Sequence, residues 1–226
     1  MKKVYSVAID GPSGAGKSTI ARTAASDMEF IYVDTGAIYR SVGLYAMRKG
    51  VDTKNPQAVV PLLDEIKIEI RYDDSGVQRM ILNGEDVSGE IRTPQASIAA
   101  SDVSKIPEVR SFLLELQRDF ARKNSVIMDG RDIGTVVLPN ADLKIFLTAT
   151  AEARAKRRWL ELKEKGMEQK YEDVLRDVIW RDKNDSERDV APLKPAEDSV
   201  TVDTTELDLQ QSIELIERLI RERLGV

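Results

Sequence analysis

The sequence predicts an α/β fold, a five-stranded parallel sheet flanked by helices and interrupted by a small antiparallel β insert. Three observations point to it: short apolar runs alternate with helix-like stretches, the runs end in acidic or polar residues, and one segment switches to a period of two. Val4 to Ile9 is the first strand; it ends at Asp10, and the helix that follows opens at Ser18-Thr19-Ile20-Ala21-Arg22. Phe30 to Val33 runs into Asp34-Thr35, Val126 to Met128 into Asp129, Lys144 to Leu147 forms the fourth strand, and Val200 to Val202 runs into Asp203. Ile213, Ile216, Leu219, Ile220 and Leu224 recur at helical spacing among Glu and Arg, an amphipathic helix docked on the core. In the segment that breaks the alternation, Ile66, Ile68 and Ile70 alternate with Lys67, Glu69 and Arg71. A turn at Asp73-Asp74-Ser75-Gly76, a run from Val77 to Leu82 and a turn at Asn83-Gly84 complete an antiparallel meander. Such an insert is either a decoration or a mobile flap over a bound molecule.

Ligands of open α/β sheets bind beyond the carboxyl ends of the strands. Beyond the first strand, Gly11-Pro12-Ser13-Gly14-Ala15-Gly16-Lys17-Ser18 matches the loop that cradles nucleoside triphosphates, and Thr19 continues it into the helix. Glycines let backbone N–H groups approach phosphate oxygens, and the helix N-terminus adds partial positive charge. Lys17 supplies a full charge at the β- and γ-phosphates, and the Ser18 hydroxyl suits Mg²⁺.

Composition narrows the partners. At 226 residues the chain has room for one core with one or two inserts. Its net charge of −5 gives no overall electrostatic case for nucleic acid or an anionic membrane, so anion sites must be built locally. There is no cysteine, which excludes disulfides and thiolate metal sites and fits a reducing compartment, and there is no histidine. No segment approaches the roughly 18 apolar residues of a membrane span. A cytoplasmic protein is expected.

A basic stretch supplies local cations: Arg154, Lys156, Arg157, Arg158, Lys163, Lys165, then Arg176, Arg181 and Arg188. Arg154, Arg157 and Arg158 stand at i, i+3, i+4 and share one helix face, suited to a polyphosphate or to a solvated face paired with Glu152, Glu161 and Glu164. The phosphate loop belongs to a kinase or to a nucleotide switch. A guanine-reading Asn-Lys-x-Asp segment is absent, and both Asp-x-x-Gly stretches, Asp73 to Gly76 and Asp86 to Gly89, fall in turns of the insert. Transfer to an alcohol normally needs a base. Transfer to a phosphate monoester does not, because its second pKa of about 6 leaves the acceptor oxygen anionic, and guanidinium groups then bring the two anions together. A histidine-free, arginine-rich chain suits a phosphate acceptor, while Asp34 or Asp129 as base keeps an alcohol acceptor open.

Five motifs carry a more specific resemblance: Asp10-Gly-Pro-Ser-Gly-Ala-Gly-Lys17, Asp34-Thr-Gly-Ala-Ile-Tyr-Arg40, Gly84-Glu-Asp-Val-Ser-Gly-Glu-Ile-Arg92, Asp129-Gly-Arg-Asp-Ile-Gly-Thr135 and Arg188-Asp-Val-Ala-Pro-Leu193. In this order, from first strand to last, the chain resembles the bacterial cytidylate kinases, P-loop nucleoside monophosphate kinases. The resemblance implies ATP-dependent phosphorylation of CMP and dCMP with Mg²⁺ by a monomeric, single-domain enzyme spanning residues 1–226. Residues 63–92 would be an insert near the monophosphate site and residues 151–190 an Arg-rich helical lid. It also implies that Arg40, Arg131 and Arg188 hold the acceptor phosphate, with Arg181 and Asp185 near the sugar and phosphate. Asp132 would accept from the cytosine N4 amino group, Arg110 and Ser101 would donate to N3 and O2, and Arg154, Arg157 and Arg158 would face the transferring phosphoryl group. Simpler readings stand beside these: Ser101 as a helix N-cap, Arg110 on a helix surface, and Arg181 with Asp185 as an i, i+4 salt bridge. Thr35 stands where many members carry Ser and keeps the hydroxyl; Ser18 keeps a metal-ligating hydroxyl that some members replace with Gly.

Overall fold

The computed structural model describes residues 3–164 and 166–225; Lys165, counted above in the basic stretch, lies outside the described residues. The elements follow in order: β1 (Ser6–Asp10), α1 (Lys17–Asp27), β2 (Ile31–Asp34), α2 (Thr35–Arg48), α3 (Pro56–Val59), β3 (Ile68–Tyr72), β4 (Gln78–Leu82), β5 (Glu85–Asp86), α4 (Pro94–Val103), α5 (Pro107–Lys123), β6 (Val126–Gly130), β7 (Leu143–Thr148), α6 (Ala151–Glu164), α7 (Tyr171–Ser186), β8 (Val200–Asp203) and α8 (Leu209–Leu224). They divide into two units, one running to Tyr32 and resuming at Ala121, the other Val33–Phe120.

All five expected parallel strands form, in the order β2-β6-β1-β7-β8. β1 lies between β6 and β7 in parallel register, Ile9 opposite Asp129 and Ile145. Val7, Ile9, Ile127, Ile145 and Leu147 bury their side chains with Ile20, Ala21 and Ala24 of α1 and Ile213, Ile216 and Ile220 of α8. That explains the amphipathic spacing of the last helix: its apolar stripe completes this core. Asp208 and Gln211 form a reciprocal capping box at its start, and Gly225 ends it in the left-handed conformation. In the same unit α6 and α7 pack on each other around a small core of their own, Ala155, Leu162, Val174 and Val178. Among the described residues, no helix is long and apolar enough to cross a membrane.

The second unit holds the expected meander, β3-β4-β5, with Ile68 opposite Leu82 and Tyr72 opposite Gln78. Asn83 and Gly84, both at positive φ, make the tight turn from β4 to β5. Asp34 caps α2 by accepting from the Ala37 N–H at 2.9 Å, and its own N–H donates to the Gln78 side chain at 2.9 Å. The meander is thereby tied to the turn that opens α2.

Candidate active site

Each residue of the phosphate loop is positioned by the end of β1 and the start of α1. Gly11 has φ 150°, and a Cβ there would fall 1.9 Å from the Leu147 carbonyl oxygen, so only glycine lets the loop leave the strand. Lys17 curls back to donate to the Pro12 carbonyl at 2.8 Å and is almost fully buried. Burial, reinforced by the like charge of Arg131, pushes its pKa down to about 7, although Asp129 and Asp10 act the other way. An anionic ligand would return that lysine to its full charge.

The Ser18 hydroxyl donates to one oxygen of Asp129 at 2.9 Å, and the Tyr32 hydroxyl donates to the other at 2.9 Å. A hydroxyl beside a buried carboxylate is the donor set with which P-loop proteins hold Mg²⁺, completed by phosphate oxygens and water. The sequence reading named Ser18 and considered Asp129 only as a base. Its signal was present, an acid at the end of an apolar strand, but the neighbourhood of β6 and β1 is what turns it into the partner of Ser18.

The three arginines of α6 diverge although they start from one helix face. Arg154, buried, donates from Nε to Ala149 O at 2.8 Å and from Nη1 to Ser13 O at 2.9 Å, and grips both oxygens of Asp182 on α7. Arg157 reaches the Thr204 and Leu207 carbonyls after β8, and Arg158 pairs with Glu161 at 2.9 Å. Of the three, only Arg154 touches the phosphate loop. A shared face fixes where side chains begin, while the nearest acceptors decide where long ones end.

The other first-unit residues form a charged cluster. Arg131 donates to Asp185 at 2.7 Å, so Asp185 does not close the i, i+4 bridge to Arg181 that the helical spacing allowed. Burial alone would lower the Arg131 pKa, but the charges of Asp185, Asp129 and Asp10 raise it. Arg188 and Asp132, both buried, face each other at 3.4 Å, and Arg188 also donates to Ala191 O at 2.6 Å. Arg181 makes no hydrogen bond or ion pair among the described residues; burial, then the like charge of Arg158 and Arg131, pushes its pKa down, while Asp177 and Asp185 act the other way.

Thr35, Arg40, Ser101 and Arg110 belong to the second unit. Thr35 is buried in the first turn of α2. Arg40 donates from Nη2 to Asp34 at 2.8 Å, while its buried Nε has no partner among the described residues. Arg110 is buried, donates to Ser104 O at 3.3 Å and lies 5.5 Å from the centre of the Tyr39 ring, which removes the surface reading. Ser101 sits in the last turn of α4, whose N-cap is Thr93, which removes the capping reading. Asp34 and Asp129 each accept hydrogen bonds on both oxygens, which counts against either as a free base.

A family profile described as "Cytidylate kinase" matches residues 7–222. A curated cytidylate kinase from Caldicellulosiruptor saccharolyticus is 48% identical over 225 residues, covering 100% of this chain and 99% of its own. One from Caldicellulosiruptor bescii is 49% identical over 228 residues, covering 99% of this chain and 100% of its own. A solved structure of an uncharacterized protein from Eubacterium ventriosum superposes with a TM-score of 0.53 at 13% identity, covering 96% of this chain and 98% of that one, a likeness of fold.

Proposed function

The chain belongs to the cytidylate kinase family, and from that premise we propose how its own residues carry ATP-dependent phosphoryl transfer to CMP or dCMP, giving ADP and CDP or dCDP. The chain acts as one kinase domain. Residues 11–19 wrap the ATP phosphates with backbone N–H groups, and Lys17, moving from the Pro12 carbonyl, meets the β- and γ-phosphates. Ser18, aligned by Asp129, and the phosphate oxygens would hold Mg²⁺. When bound, the ion neutralises charge on the β- and γ-oxygens. Arg154, anchored at Ser13, turns toward the transferring group, with Arg157 and Arg158 in reserve on the same helix.

The acceptor phosphate is held by Arg131, Arg181, Arg188 and Arg40, with Asp185 orienting Arg131. No general base is needed, because the acceptor oxygen is already anionic. Asp132 takes the cytosine N4 amino group, and Arg110 and Ser101 donate to N3 and O2. Uracil presents an acceptor where cytosine presents N4, so it would face the Asp132 carboxylate at a penalty of about 1–3 kcal/mol. Residues 63–92 and 151–190 close to exclude water, which otherwise competes for the phosphoryl group.

The observation that carries this reading is Arg181: a half-buried guanidinium that makes no hydrogen bond or ion pair among the described residues and stands beside the like charges of Arg158 and Arg131, which Asp177 and Asp185 offset only in part. Crowding like charges is unfavourable unless a polyanion joins them. Steady-state kinetics of Arg181→Met test it. The KM for CMP is expected to rise at least about tenfold, with the KM for ATP within about threefold of wild type. Unchanged CMP kinetics would overturn the reading.

A further inference from the structure

Asp10, the last residue of β1, takes no part in the transfer described above. It is 5% exposed, and both its oxygens are occupied, Oδ1 by the Ile133 N–H at 2.8 Å and Oδ2 by the Gly134 N–H at 2.7 Å. It makes no hydrogen bond to the phosphate loop that follows it, among the described residues. Its two donors come 123 and 124 positions later and immediately follow Asp132.

Ile133–Val137 is a wide helical turn of the i→i+5 kind, and Asp132 stands at its N-cap with φ −145° and ψ 26°. An Asp there would ordinarily turn its carboxylate onto the first free N–H groups of its own turn. Asp132 makes no such bond, and Asp10 occupies the first two of those groups, the Ile133 and Gly134 N–H. The Asp132 carboxylate is left facing Arg188. Gly134 completes the fit: a Cβ there would lie 3.1 Å from Lys144 Cδ and 3.4 Å from Asp10 Oδ2, so a side chain would lift the N–H from the carboxylate.

We propose that Asp10 is a positioning residue of the base-reading site: by capping the turn at the Ile133 and Gly134 N–H groups, it turns the Asp132 carboxylate away from them and toward the nucleobase amino group. The proposal rests on the assignment of Asp132 to cytosine N4. An isolated carboxylate buried at a strand end is otherwise unfavourable, and its pKa is pushed up to about 6 by burial against the help of the two N–H groups.

The test compares kcat/KM for CMP and for UMP, and the KM for ATP, in wild type, Asp10→Asn, Asp132→Ala and the double variant. Asn keeps the shape, but its amide can accept only one of the two N–H groups and sets a donor against the other. Asp10→Asn is expected to lower the CMP/UMP ratio about tenfold with the KM for ATP within about twofold, and to add less than about twofold in the Asp132→Ala background. Gly134→Ala, which displaces the same N–H without touching charge, is expected to lower the ratio likewise, and stands in if Asp10→Asn does not fold. A normal ratio in both single variants, where Asp132→Ala changes it, overturns the positioning role. So does an equal rise in the KM for ATP, which would assign Asp10 to the phosphate loop. An unchanged ratio in Asp132→Ala refutes the base-reading assignment, and the proposal with it.

Discussion

At the residue scale the molecule concentrates ionisable groups where they are unfavourable. Asp10 shows the consequence for stability. Its folded-state pKa of about 6 lies above the unfolded value of 3.8, so the folded protein holds a proton that the unfolded chain has already released. The stabilisation relative to Asp10→Asn is therefore full at low pH and is lost as pH rises through about 6. Urea unfolding of both proteins at pH 4.5 and 7.5 should show wild type losing about 2 kcal/mol relative to the variant. A difference constant with pH would contradict the burial argument. Residue identities in the candidate site were legible in the sequence because loop motifs are local. Partnerships were not: Ser18 with Asp129, Arg131 with Asp185 and Asp10 with the turn after Asp132 span 111, 54 and 123 positions. No local spacing predicts them; strand order creates the first and third, and the placement of α7 beside the end of β6 the second.

At the scale of elements, α6 and α7 form a hairpin with its own core, tied by the grip of Arg154 on Asp182. The same Arg154 also meets the phosphate loop at Ser13 O, so one side chain links this small core to the loop. Met substitutions along α6 separate the arginines. Arg154→Met is expected to reduce turnover well above 10²-fold, as loss of a guanidinium at the transferring group does, whereas Arg158→Met, whose side chain pairs with Glu161 three residues along the same helix, should lose far less. Three small, equal losses would mean a merely solvated face. The elements themselves were legible, since the central strands β1 and β6 are buried along nearly their whole length and read as apolar runs, while β8 carries only Val202 into the core. Their lateral order was not, because β6 reaches β1 only after the 88 residues of the second unit, Val33–Phe120, have intervened.

At the scale of the whole molecule, an acidic protein acts on two anions. A net charge of −5 offers no long-range attraction to ATP or CMP, so affinity must come from the buried cations of each site, and substrate binding should depend on the local arginines more than on the overall field. The central claim is that these cations serve an acceptor phosphate carried by a cytosine nucleotide. Measuring ADP formation from Mg·ATP with CMP, dCMP, UMP, AMP, GMP, shikimate or no acceptor tests it most directly. Rapid turnover confined to CMP and dCMP, with UMP far behind, is the expected result. ADP release indifferent to the acceptor, or appearing only with a non-nucleotide, would contradict the second site while leaving the phosphate loop intact.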